Sequence, residues 1–121
     1  LPAAEQDEVI RYNLSRVSEF GGPDEASLRA ELAQVRRDGY CGGASGLIPG
    51  MAGVGAPIRD HEGRAVAVIS VGTTVDRLTP ERRGVIAEML MREAAAIGAR
   101  LDPFDPTLRR AGAAMEGGGR R

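Results

Sequence analysis

The chain has no tryptophan and no lysine, one cysteine, one histidine and four aromatic residues, Tyr12, Phe20, Tyr40 and Phe104, in 121 residues. Each scarcity excludes something. So few aromatics leave no stacking platform for single-stranded nucleic acid. A net charge of −1 gives no field that would hold a polyanion. All 16 basic residues are arginine. They are scattered along the chain, which reads as the codon bias of a GC-rich genome rather than as an anion-reading cluster. Cys41 alone cannot form an intrachain disulfide. Without a cysteine partner, and with His61 as the single imidazole, no metal site is expected. No cofactor is expected either. No signal peptide is visible and no apolar run approaches membrane-spanning length, so a cytoplasmic setting is expected.

What is present suits one small domain with one modest core: 42% of residues are apolar. The chain opens on Leu1-Pro2 without a methionine, so a fragment or a processed product is expected. Residues 1–12 read as a helix, with Pro2 in the first turn and Glu5, Asp7 and Glu8 near its positive end. Residues 13–20 read as a connector. Pro23 at the first helical position, with Asp24 and Glu25 behind it, starts a second helix over Pro23–Asp38, whose stripe is Leu28, Leu32 and Val35 and whose stop is Gly39. A strand beginning at Tyr40 gives way to a glycine-rich loop, and Pro49-Gly50 is a turn. Thr79 as N-cap and Pro80 at the next position begin a long helix of about six turns, with Ile86, Met89, Leu90, Ala94, Ile97 and Leu101 as its apolar face. Residues 1–102 then form the domain. The tail 103–121, with its glycines, prolines and arginines, is expected to be disordered.

The middle of the chain is a β-hairpin: Met51 to Ile58, a polar turn at Asp60-His61-Glu62-Gly63, and Ala65 to Gly72. Pairing Arg59 with Arg64 sets Gly53 opposite Ser70, Gly55 opposite Val68 and Met51 opposite Gly72. Side chains alternate across a strand, so these six share one face. Ala52, Val54, Ala56, Ile58, Ala65, Ala67, Ile69 and Val71 share the other, which is continuously apolar and should carry the helices. The first face is a hollow of small residues holding one hydroxyl. The fold class is therefore α+β, an antiparallel sheet with helices packed on one face, a central hairpin and a long C-terminal helix.

Other chemistry was weighed on the residues. Cys41 with His61 as its base would make a nucleophile, but His61 stands in the turn, at the far end of the strand from Ser70, and no acid is placed to orient it. We read Cys41 instead as a buried or edge thiol, able to line the hollow near the loop. Asp60 and Glu62 read as turn chemistry. Gly42 to Gly46 lacks the lysine and the following helix of a phosphate loop, although its N–H groups could form an anion-binding nest.

The pattern Leu28-x-x-x-Leu32-x-x-Val35-Arg36-x-x-Gly39-Tyr40, then Pro49-Gly50, then Ala56-Pro57-Ile58-x-Asp60-x-x-Gly63, then Val66 to Val71 and Arg77-Leu78-Thr79 resembles the effector-binding domain of the IclR (isocitrate lyase regulator) type transcription factors. The resemblance runs through about residues 23–100. It implies a GAF/profilin-like sheet with helices on one side and a small-molecule pocket on the other, a homodimer or homotetramer, and a DNA-binding winged helix-turn-helix outside this chain. It also implies that the first half of the effector domain lies outside these residues. Many members carry glutamate where this chain has Gly46.

The function expected is thus a small-molecule-sensing domain of a DNA-binding regulator and not an enzyme. Gly43, Ser45, Gly46 and Ser70 would hold the polar end of a metabolite, such as an organic acid. Met51 and Val68 would pack against its apolar part, over Gly53 and Gly72. Two other readings compete: a ligand-free oligomerisation module that covers the same face with protein, and an enzyme that uses Cys41.

Overall fold

A computed structural model describes residues 2–45 and 48–105. In chain order they form α1 (Ala3–Glu19), α2 (Glu25–Asp38), β1 (Cys41–Ala44), β2 (Met51–Arg59), β3 (Ala65–Thr74), a short 3-10 turn at Val75–Arg77, and α3 (Pro80–Gly98). The α+β expectation holds, with an antiparallel sheet ordered β1-β2-β3 and α3 packed on one of its faces. The expectation of a disordered tail falls, from residue 106 onward, outside the described residues.

The helix ends follow local chemistry. α1 runs to Glu19, through the stretch expected to be a connector. Val9, Ile10, Leu14 and Val17 continue a helical spacing, and two polar side chains turn back onto the helix: Asn13 Nδ2 donates to the Val9 carbonyl and Ser18 Oγ to that of Leu14, both at 2.8 Å. α2 begins one residue after Asp24, not at Pro23. The Asp24 carboxylate accepts the Ser27 N–H at 2.8 Å and so caps the helix itself, leaving Pro23 outside. Those N–H bonds, from Ser27 first, hold the Asp24 carboxyl below its ordinary pKa. Gly39 ends the helix at φ +81°, a left-handed geometry that favours glycine. Arg29 links the two helices by reaching Asp7 at 2.7 Å, and Arg36 hydrogen-bonds Gln6.

The hairpin pairs as expected by face but not by register. Gly53 stands opposite Gly72, Gly55 opposite Ser70, and Met51 opposite Thr74. The slip is two residues. An even slip preserves which residues share a face, so the alternation read from the sequence survives it. Its cause lies at the turn. Arg59 pairs with Ala65 rather than Arg64, and an irregularity between Ile58 and Arg59 adds one more residue on the β3 side. Asp60 builds this wider turn. Its Oδ1 accepts the N–H groups of Glu62 (3.0 Å) and Arg64 (2.9 Å), and its Oδ2 pairs with the Arg64 guanidinium at 2.7 Å. Gly63 supplies the positive φ, +77°.

The core lies between β2 and α3: Val54, Ala56 and Ile58 against Ala87, Leu90 and Ala94. Val54 is 2% exposed. The apolar face of α3 differs from expectation. Met89 and Ile97 are exposed, and Ala87 and Gly98 take the contact. Small residues let the helix lie close on the strand. A Cβ at Gly98 would stand 2.3 Å from the Arg59 carbonyl oxygen, so only glycine fits there. Thr79 caps α3, with Oγ1 accepting the Arg82 N–H at 3.3 Å, and Pro80 occupies the first position as expected. The edge strand β3 receives less cover than β2. Ile69 is half-buried, but Val71, expected in the core, is 39% exposed.

Candidate functional site

The face of the sheet opposite α3 is assembled in rungs. Residues paired across antiparallel strands share a face. One rung is Gly43–Gly53–Gly72, a row of three glycines across all three strands. The next is Cys41–Gly55–Ser70. Met51 with Thr74, and Pro57 with Val68, close the face at its two ends. The side-chain contacts agree. A Cβ placed on Gly55 would meet Cys41 Sγ at 3.3 Å, Ser70 Cβ at 3.6 Å and Val68 Cγ1 at 3.6 Å. At Gly43 and Gly72 it would meet nothing within 4 Å. The result is a shallow hollow with a backbone floor and a rim of one thiol, one hydroxyl and one valine. Gly42, one residue along, would instead meet Arg83 of α3, which confirms that the two faces are distinct.

The residues expected at the site are distributed as follows. Gly43, Met51, Gly53, Val68, Ser70 and Gly72 all lie on this face. Gly46 lies outside the described residues. The Ser45 hydroxyl accepts the Ile48 N–H at 3.1 Å, so it serves the turn that leads back into β2. The anion nest that the N–H groups of Gly42 to Gly46 could have formed does not form in its described part. Residues 41–44 are a strand, whose N–H groups alternate in direction, and the Ser45 N–H donates to the Met51 carbonyl at 2.7 Å. Backbone donors that alternate do not converge on one anion.

Gly55, expected on this face, and Cys41, read as able to line the hollow, both stand on it. Thr74 was not expected there, and the register slip explains why. It brings Ser70 level with Gly55 and carries β3 on to Thr74, opposite Met51. The signal available in the sequence was the β-branched pair Thr73-Thr74, which extends a strand more readily than it ends one. Cys41 is exposed. No hydrogen bond among the described residues uses the Ser70 hydroxyl, so it is free to donate to or accept from a bound group.

The electrostatics of the molecule concentrate elsewhere. Burial of the Asp60 carboxyl, 6% exposed, works to raise its pKa. The Arg64 N–H, the Arg64 guanidinium and the Glu62 N–H outweigh this and hold it below the ordinary carboxylate value. His61 is engaged in the same region. Its Nε2 lies 2.8 Å from the Leu101 carbonyl, which can only accept, so Nε2 carries the proton. That bond ties the turn to the end of α3 and keeps His61 away from Cys41. Among the described residues no three His, Cys, Asp or Glu side chains are grouped to hold a metal ion. No helix among them is long and apolar enough to cross a membrane.

With this geometry in place, the sequence matches the family described as bacterial transcriptional regulator IclR C-terminal over residues 1–99. The chain belongs to that family. Its members are regulator domains, not enzymes. No curated protein matched. Among solved structures, the chain is similar to the Agrobacterium tumefaciens repressor BlcR, at 30% identity and a TM-score of 0.60, covering 64% of this chain and 32% of that one. It is similar to the C-terminal domain of the E. coli transcriptional regulator KdgR, at 26% identity and a TM-score of 0.64, covering 78% and 60%. It shares its fold with the inducer-binding domain of an Acinetobacter PobR double mutant, solved with 3-hydroxybenzoic acid, at 23% identity and a TM-score of 0.63, covering 80% and 56%. The chain thus spans about a third of the BlcR repressor and just over half of the other two domains.

Proposed function

We propose that this chain is part of an IclR-type effector-binding domain and that a small metabolite lies on the hollow face of its hairpin. The observation that carries the reading is the open space over Gly43 and Gly72, where a Cβ would meet nothing within 4 Å, beside the Cys41 thiol, Ser70 and Val68 that close over Gly55, on the face that no described helix covers. The floor is backbone, and no charged side chain is paired into it between Met51 and Pro57. It therefore suits a flat or slender apolar group, with Ser70 donating to or accepting from the metabolite's polar end and Met51 and Val68 packing against its body. Family membership supports the reading, as does a fold neighbour solved with an organic acid. Binding would favour one arrangement of the regulator's subunits, a homodimer or homotetramer, over another, and so reposition DNA-binding domains outside this chain.

A thermal-shift screen of aliphatic and aromatic carboxylic acids on the chain tests this. At least one acid should raise the melting temperature. For that acid, Gly53→Leu, which fills the middle of the glycine rung, should weaken binding about tenfold or more, equivalent to about 1.4 kcal/mol. Ser70→Ala should weaken it by about fivefold, the worth of one hydrogen bond of about 1 kcal/mol. Hits that bind Gly53→Leu as well as the parent chain would place the ligand elsewhere.

A further inference from the structure

The β2–β3 turn and the end of α3 meet backbone on backbone, at Gly98 and the Arg59 carbonyl. Three residues on, the Leu101 carbonyl accepts a hydrogen bond from His61 Nε2 at 2.8 Å. Leu101 is also held from its own side. Its N–H donates to the Gly98 carbonyl at 3.2 Å, and its half-buried side chain packs on the core. Beyond it, Asp102 Oδ1 accepts the Phe104 N–H at 2.9 Å and closes a further turn. Residues 99–105 thus form a strap that leaves α3 and is fastened to the hairpin through His61. The turn that carries His61 is itself braced. Asp60 gathers the Glu62 and Arg64 N–H groups, the Arg59 guanidinium donates to the Gly63 carbonyl at 2.9 Å, and the Gly63 N–H donates to the Asp60 carbonyl at 2.9 Å. Along the ladder this turn is close to the hollow. Val68, whose Cγ1 closes over Gly55, pairs with Pro57, and only the pairs Ile58–Ala67 and Arg59–Ala65 separate it from the turn.

We propose that the strap reads out the hollow: residues 99–101 and the hairpin turn open and close as one unit, His61 is the positioning residue that joins them, and a ligand resting on Val68 and Ser70 therefore also holds the strap closed. The route is short and made of contacts already in place. A ligand that steadies Val68 steadies the two pairs beyond it, the turn follows because Asp60 makes it one piece, and His61 carries the effect to the Leu101 carbonyl. Linkage makes the coupling reciprocal: the factor by which a ligand suppresses opening of the strap is the factor by which opening of the strap weakens the ligand. The shared opening does not depend on the effector reading; its response to a ligand does.

Amide hydrogen exchange resolved by residue, at rising urea concentrations below unfolding, tests the joint on the chain without any ligand. The Arg100 and Leu101 amides of the strap and the Gly63 and Arg64 amides of the turn are all hydrogen-bonded. They are expected to share one opening constant and one dependence on urea. His61→Ala should separate the two pairs and speed exchange at Arg100 and Leu101 by about fivefold, the worth of one hydrogen bond, with circular dichroism checking that the fold is retained. His61→Gln, whose side-chain amide can donate in place of the ring, should restore the shared opening. The ligand arm uses the carboxylic acid that raises the melting temperature most: protection at Leu101 should rise together with protection at Val68 in the parent chain, and not in His61→Ala. Two separate openings in the parent chain would overturn the proposal. So would exchange at Arg100 and Leu101 unmoved by His61→Ala, or no recovery with His61→Gln. A bound acid that protects Val68 and leaves Leu101 unchanged would overturn the read-out while the effector reading stands. A screen in which no acid binds would overturn the effector reading and the read-out with it, and the joint would then stand or fall on the exchange without ligand.

Discussion

The two faces of one hairpin are made from alternate residues of the same two strands, yet they do opposite things. The face of Ala52, Val54, Ala56 and Ile58 is covered by α3 and carries the core. The face of Gly53, Gly55, Ser70 and Gly72 carries almost no side chain at all. On the first, small residues serve closeness: Ala87, Ala94 and Gly98 let a helix lie against backbone. On the second, small residues leave open space over Gly43 and Gly72, while the Val71 carbonyl closes in on Gly53 and the Cys41, Ser70 and Val68 side chains close in on Gly55. Glycine by itself therefore tells little. Gly98 has the Arg59 carbonyl where its side chain would be, whereas Gly72 has open space.

Substitutions sharpen that contrast. Large losses are expected at two buried positions. At Gly98→Ala, whose new Cβ would stand 2.3 Å from the Arg59 oxygen, urea denaturation should show a loss of about 3 kcal/mol. Leu90→Ala should cost about 2–5 kcal/mol, since Leu90 is buried among β2 side chains. Met89→Ala, one residue along the same helix but exposed, should fall within about 0.5 kcal/mol. Equal losses at Leu90 and Met89 would mean that α3 packs on a different face. On the open side, Val68→Ala should also change stability by no more than about 0.5 kcal/mol while weakening any bound acid, so that stability and affinity separate by face.

A pH-dependent effect is expected at the turn. The folded Asp60 carboxyl titrates below its unfolded value. Its stabilisation is therefore complete above about pH 4, where the unfolded carboxyl is already ionised, and is lost as the pH falls through the lower folded value. Thermal melts from pH 7 to pH 3 should show Asp60→Asn less stable than the parent at pH 7, with the difference narrowing in acid. A difference that widened in acid would show that Asp60 is not held as a carboxylate by Arg64.

Much of this was legible before the structure. Thr79-Pro80 announces a helix start because both the cap and the proline act within one turn, and Gly39 announces a stop for the same local reason. The two faces of the hairpin were legible because strand alternation is local. The register was not, because it depends on Asp60 gathering the Glu62 and Arg64 N–H groups into a wider turn, and Gly53 was set against Ser70 in place of Gly72. The apolar stripe of α3 misled in a related way. Met89 and Ile97 are the more hydrophobic residues, but a close approach of helix to strand selects Ala87 and Gly98. The exposure of Val71 reflects the width of the sheet, which no local pattern encodes.

The central claim is that the open face, and not the helix-covered one, receives the ligand. Amide and methyl NMR shifts on titration of the best carboxylic acid from the thermal screen test it most directly. Perturbations are expected to cluster on Gly53, Gly55, Val68, Ser70, Gly72 and Cys41, with Val54, Ile58, Leu90 and Ala94 little changed. Perturbations centred on α3 and the core face, with the glycine rungs silent, would contradict it.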